Sequence, residues 1–186
     1  GSGPNDRDET IGPNKPFQDL AWGLAEKGIA VLRYDKRTKV YGASAFKKEV
    51  TVQAEVIDDV LSAISLVKTI PEINKEQIFI LGHSLGGMLI PRIASQNQDA
   101  KGFIVMAGPC RPLEDLILEQ CDYLFKLDGN LSDEERQSLD LVKKQVEKVK
   151  SPELSIATPV SELPNNTPAS YWLDLRDYHP AILAKE

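Results

Sequence analysis

The sequence predicts an α/β protein built on a parallel sheet with helices on both faces. Short, continuously apolar runs at 29–34, 77–81 and 102–107 read as strands buried on both sides. Between them lie stretches whose apolar residues recur at helical spacing, the alternation that strand–helix–strand units produce. Gly82-His83-Ser84-Leu85-Gly86 then sets a G-x-S-x-G turn between the second of these strands and a helix.

The elements follow in order. Residues 1–14 are polar and carry Gly and Pro, hence a loop. From Pro16, an apolar stripe at Phe17, Leu20, Ala21, Leu24 and Ala25 predicts a helix that Lys27-Gly28 stops. Ile29 to Tyr34 is the first strand, and 35–44 a polar loop. Thr51 can cap a helix carrying Val56, Val60, Ile64 and Val67 on one face, ended before Pro71. Gln77 to Leu81 is the second strand, and a helix follows over 85–95. Pro91 falls too deep in that helix for its first turn, so it should free the Gly87 carbonyl and bend the helix. Gly102 to Ala107 is the third strand.

After Gly108-Pro109 the character becomes helical. Residues 112–127 carry Leu113, Leu116, Ile117, Leu124 and Leu127 on one side. A Ser132…Glu135 capping box opens a second helix striped at Leu139, Val142, Val146 and Val149. Lys143, Lys144, Lys148 and Lys150 read as its solvated face. Residues 151–167 hold four prolines and no period, hence a loop, and 169–175 can form a short helix.

A chain of 186 residues has the length of one domain, and 41% hydrophobic with 27% charged residues is ordinary for a globular protein. A net charge of −6, without a lysine or arginine block, argues against nucleic acid or an anionic membrane as partner. No apolar run approaches the roughly 18 residues that span a bilayer. Cys110 and Cys121 lack metal-ligand spacing and read as small buried or half-buried side chains. No metal and no cofactor are expected. Compartment (cytoplasmic or secreted) and oligomeric state are left open.

A G-x-S-x-G pentapeptide between a buried strand and a helix is the nucleophile elbow of hydrolytic enzymes. The turn is so tight that its serine sits in a strained conformation, and the residues two before and two after must lack bulky side chains. Gly82 and Gly86 meet that demand. The helix points its free N–H groups at the reaction site. The bare pentapeptide also occurs as a plain Gly-rich turn; the flanking strand and helix favour Ser84 as a nucleophile. A serine nucleophile needs a base and an acid to orient it. His83 lies inside the elbow and leaves it in another direction, so it is a poor base. His179, before Pro180, reads as a residue of a surface turn, and Asp174 and Asp177 as solvated carboxylates. Tyr171 and Trp172 serve equally as pocket lining or as plain packing.

Taken together with Gly1-Ser2-Gly3-Pro4-Asn5-Asp6-Arg7-Asp8-Glu9 and Arg33-Tyr34-Asp35-Lys36-Arg37-Thr38, the elbow context resembles bacterial α/β-hydrolases of the serine-esterase type, over nearly the whole chain. The resemblance implies an oxyanion hole formed by the Leu85 N–H and, from the opening loop, the Ser2 N–H. It makes Asp35-Lys36-Arg37 a structural Asp-x-Arg turn. Reading Gly1-Ser2-Gly3 as an appended tripeptide is the rival account, but Pro4 to Glu9 continue the family pattern without a break. The implied organisation is a hydrolase core at 1–109, a helical cap insertion at 110–170, and a return to the core at 171–186. Against the family pattern, the His-Gly pair expected before Gly1 and the strands before it are missing, and the acid and base belong after later strands. The expectation is therefore an incomplete α/β-hydrolase fold whose triad acid and base lie outside this chain. The implied activity is cleavage of a small-molecule carboxylic ester or thioester through an acyl-enzyme on Ser84. The alternative is a non-catalytic hydrolase-like binding module without a working base.

Overall fold

The computed structural model describes residues 1–45 and 49–185. Several of its helices stand where local signals put them, whereas the stretch at 35–44, expected to be a polar loop, holds a short helix. Pro16, whose fixed φ suits a first helical turn, opens α1 (Pro16–Ala25), which buries Ala21. Gly28, at a φ of 78°, lets the chain turn away after it. α2 (Arg37–Tyr41) is a single short turn. A π-helical turn over Gln53–Ile57 leads into α3 (Asp58–Thr69). That wider turn changes which residues face inward: Glu55 and Ile57 are buried, whereas Val56, expected on the apolar face, is only half-buried.

The sheet departs from expectation. It has two strands among the described residues, β1 (Phe79–His83) and β2 (Gly102–Met106), paired parallel from Phe79–Gly102 to His83–Met106. β1 begins two residues later than its apolar run, because Asn74 caps a 3₁₀ turn over Lys75–Gln77 and holds that end of the run out of the ladder. The expected strand at 29–34 is not a strand. A strand exists only through a ladder partner, and this segment has none among the described residues. Ile29 and Leu32 on it are exposed. The expected helix at 85–95 is two helices, α4 (Leu85–Met88) and α5 (Ile90–Ser95). The break at Leu89 puts Pro91 in the first turn of α5, where its missing N–H costs nothing, so Pro91 is not the mid-helix bend expected of it.

By contact density the chain forms two units. One comprises Gly1–Lys48, Gln53–Gly108 and Pro180–Glu186, the other Glu49–Val52 and Pro109–His179. The first holds the sheet, and its core includes Ile57, Ile64, Leu85, Met88, Leu89 and Ile93; α9 (Pro180–Leu183) packs on α5. The second is helical: α6 (Leu113–Phe125), α7 (Asp133–Lys150) and α8 (Ala169–Leu175). α6 packs on α7, whose Leu139, Val146 and Val149 are buried. The capping box forms as read: Ser132 Oγ accepts the Glu135 N–H and the Glu135 carboxylate accepts the Ser132 N–H. Leu154, Leu163 and Pro164 tie down the proline-rich loop, and Arg176 donates to the carbonyls of Val149 and Ser151. Leu124 and Leu127, at the far end of the α6 stripe, are exposed.

Candidate active site

Ser84 links β1 to α4 with φ 52° and ψ −118°, a backbone conformation that costs a non-glycine residue on the order of 1–3 kcal/mol. The surroundings hold it there. The Ser84 N–H donates to the Met106 carbonyl at 2.9 Å, the end of the neighbouring strand, and the Ser84 carbonyl accepts the Met88 N–H at 2.9 Å. Leu85, the first residue of α4, buries its side chain and leaves its N–H among the donors that a helix start cannot satisfy internally. Ser84 itself is half-buried, and no hydrogen-bond partner of its hydroxyl is found among the described residues.

The glycine requirement is only half what the spacing predicts. A Cβ on Gly82 would sit 2.3 Å from the Gly86 carbonyl oxygen, so only glycine fits there. A Cβ on Gly86 would meet nothing within 4 Å; the second obligatory glycine is Gly87, whose Cβ would lie 2.8 Å from the Gly108 Cα. Gly108 is equally confined, its Cβ falling 2.6 Å from the Gly87 carbonyl carbon and 2.6 Å from Val105 Cγ1. The chain that leaves β2 thus passes directly against the first turn after the nucleophile. The sequence carries no signal for the Gly87–Gly108 contact, which depends on where a distant loop runs.

His83 is held by the opening loop and α1. Its Nδ1 lies 2.8 Å from Glu9 Oε2, and its ring meets Phe17 edge-on at 5.6 Å between centroids. This joins the opening loop to the elbow across 74 positions of sequence. Glu9 has a φ of 51°, unusual for a residue with a side chain. Ser2, the residue that the resemblance makes a loop donor, is exposed, and its carbonyl accepts from Asn5 Nδ2 at 3.0 Å.

The Asp-x-Arg turn is an anchor. Asp35 takes the Arg7 guanidinium at 2.8 and 3.1 Å and the Arg7 backbone N–H at 2.8 Å. Those bonds, the guanidinium first and the backbone N–H second, hold the Asp35 carboxyl down at about 2. Lys36 pairs with the buried Glu55 at 3.0 Å, and Arg37 is clamped to Asp59. Arg33 pairs with Asp8. One short segment therefore fastens the opening loop on one side and the helix at 53–69 on the other.

In the second unit, exposed His179 borders a cavity of about 400 Å³ with Trp172, Leu175, Arg176 and Tyr178. Trp172 is buried beside Tyr171, and its indole N–H has no hydrogen-bond partner among the described residues. Asp174 is half-buried and Asp177 exposed. Cys110 is exposed rather than buried, and Cys121 is half-buried. Among the described residues no group of three or more His, Cys, Asp or Glu could hold a metal ion, and no helix is long and apolar enough to cross a membrane.

The family profile for serine aminopeptidase, S33, matches residues 14–150. Esterase EstD of Thermotoga maritima is 43% identical over 185 residues, an alignment that takes in the whole of this chain and 41% of that protein. The chain thus spans under half the length of the curated relative it matches. No solved structure matches it.

Proposed function

The chain belongs to the serine aminopeptidase S33 family of α/β-hydrolases, and from that premise we propose that the protein hydrolyses carboxylic esters through an acyl-enzyme on Ser84. The observation that carries this reading is the backbone of Ser84, at φ 52° and ψ −118° between β1 and α4. A serine without chemistry to do has no reason to occupy that conformation where glycine would sit without strain. The name of the Thermotoga relative, an esterase, supports ester over peptide as the substrate.

In this reading Ser84 Oγ attacks the acyl carbon as its proton passes to a base. The Leu85 and Ser2 N–H groups hold the oxyanion, and each such donor typically contributes on the order of 3 kcal/mol. The tetrahedral intermediate collapses, the bond to the leaving oxygen breaks, and that alcohol takes up the proton. Water then attacks the acyl-serine by the same route and releases the carboxylic acid. A thioester would follow the same steps with a thiol as leaving group. His83, committed to Glu9, does not serve as the base. Residues 110–170 are read as the cap that selects the acyl chain.

A fluorophosphonate probe tests the reading. It should label Ser84 in the protein carrying this chain, the label should vanish in Ser84→Ala, and p-nitrophenyl acyl esters should be turned over only by the parent. Absence of labelling in the parent would favour the non-catalytic binding module instead.

A further inference from the structure

Glu9 has no role in the proposed chemistry, yet the elbow is attached to the opening loop through it. Its Oε2 lies 2.8 Å from Nδ1 of His83, the residue directly before the nucleophile. Its other oxygen, Oε1, is 3.5 Å from Asn5 Nδ2, and the same Asn5 nitrogen donates at 3.0 Å to the Ser2 carbonyl. Three side-chain contacts therefore lead from the elbow to the residue read as the loop's oxyanion donor. The Glu9 side chain is 11% exposed and the His83 side chain 31%, so water competes little with the Glu9 end of this pair. Phe17 packs edge-on against the same imidazole and limits its rotation.

The backbone is shaped to deliver that carboxylate. Glu9 is held at a φ of 51°, and the preceding turn is closed by its own N–H to the Asp6 carbonyl at 3.1 Å. Asp6 Oδ1 accepts the N–H groups of Asp8 and Thr10 at 3.1 and 3.0 Å. Strain of this kind at a non-glycine position persists only where surrounding structure imposes it. The neighbouring pairs Arg7–Asp35 and Asp8–Arg33 fasten the middle of the loop to the 33–35 segment. Neither reaches the elbow. Among the described residues, it is the Glu9 contact that couples the loop to the residue adjoining Ser84.

We propose that Glu9 is a positioning residue which, through His83 on one side and Asn5 on the other, sets the Ser2 N–H in register with the Leu85 N–H. This rests on the reading of Ser84 as an acylated nucleophile. An oxyanion hole assembled from two chain segments works only if their separation is fixed before the oxyanion forms, because donors that must be reorganised during the reaction lose most of their effect. Leu85 is fixed by the elbow. Ser2 is exposed, and its carbonyl is fixed by Asn5.

The test follows Ser84 phosphonylation and amide exchange in the same variants. In phosphonylation the Ser84 Oγ–P bond forms as fluoride leaves with the serine proton, and the phosphoryl oxygen takes the oxyanion position. Glu9→Ala should lower the inactivation rate constant about tenfold, a fraction of the 10²–10³ lost with an entire donor. The apparent probe affinity should stay within about twofold, since the Glu9 side chain is 11% exposed and engaged with His83 and Asn5. Glu9→Gln, which keeps an acceptor facing His83, should restore the rate to within about threefold of the parent. By hydrogen exchange, Glu9→Ala should expose the Asn5 and Glu9 amides while the Arg7 amide, held by Asp35, stays protected. Unchanged exchange at Asn5 and Glu9 would overturn the proposal, and so would faster exchange with an unaltered inactivation rate. A parent protein that is never labelled at Ser84 would instead remove the hydrolase reading on which the proposal stands. Labelling that is normal in both parent and Glu9→Ala defeats this inference alone.

Discussion

The Gly86 carbonyl oxygen lies where the side chain of any larger residue at position 82 would begin, 2.3 Å from an ideal Cβ. Both partners are backbone, so neither can swing aside. Gly82→Ala should therefore destabilise the first unit by about 3 kcal/mol or prevent folding. Gly86→Ala, with open space around its Cβ, should change stability by less than about 1 kcal/mol. Thermal melts of the two variants side by side decide the matter, and equal losses would contradict the geometry.

Ser84 pays for its position in backbone strain. Ser84→Gly removes the side chain that makes φ 52° costly and should raise stability by about 1 kcal/mol while abolishing labelling. In a chain of this length that corresponds to a rise of about 2–4 °C in melting temperature. A melting temperature that falls would mean that the serine contributes packing which outweighs the strain.

The Arg7–Asp35 anchor makes a specific prediction for acid stability. The folded Asp35 carboxyl sits at about 2, below its ordinary 3.8, so its contribution is present above that ordinary value and is lost as pH falls toward 2. Arg7→Gln should lower stability modestly above about pH 4, where Asp35 is ionised, and leave it little changed near pH 2, so that the acid transition flattens; the loss is modest because both groups are solvent-accessible. Melting temperatures recorded from pH 6 to 2 in parent and variant provide the comparison.

His179 is expected to contribute nothing to activation of Ser84. It is exposed, before a proline, on the rim of a cavity of the helical unit. His179→Ala should leave the rate of Ser84 phosphonylation and any turnover of p-nitrophenyl esters within about twofold of the parent. Turnover that disappears in this variant would make His179 the base.

The helical unit has its own handle. Ser132→Ala removes one half of the capping box at the start of α7 and should cost about 1 kcal/mol. Calorimetry of the variant should show the loss without any change in labelling at Ser84.

Helices were legible in the sequence because their signals are local. Pro16 with Gly28, and Ser132 with Glu135, mark ends through interactions within a turn or two, and α1, α7 and α8 lie within a residue or two of their predicted limits. The elbow was legible for the same reason, since its glycine spacing reflects a turn of a few residues. Whatever depends on a distant segment was not. The apolar run at 29–34 says that the chain avoids water, but not what it pairs with, and no ladder forms there among the described residues. Gly87 matters because of Gly108, and Glu9 because of His83, contacts that no periodicity encodes. The break at Leu89 followed from a conflict that was visible in advance: Pro91 cannot sit in the second turn of a helix without losing a backbone hydrogen bond, and the chain resolves this by starting a new helix instead of bending the old one.

The uncovered side chains of the sheet also decide how the polypeptide behaves as a colloid. Phe79 on β1, and Ile104 and Val105 on β2, are about half exposed or more, and each strand offers an edge with no ladder partner among the described residues. Against that attraction stands a net charge of −6 at neutral pH, which vanishes near pH 5.1. The second virial coefficient should thus change sign on acidification, and the same change should come with salt, which shortens the reach of that repulsion to about 8 Å at physiological ionic strength. The polypeptide will be best handled dilute, mildly alkaline and low in salt, where molecules repel before their strand edges can meet.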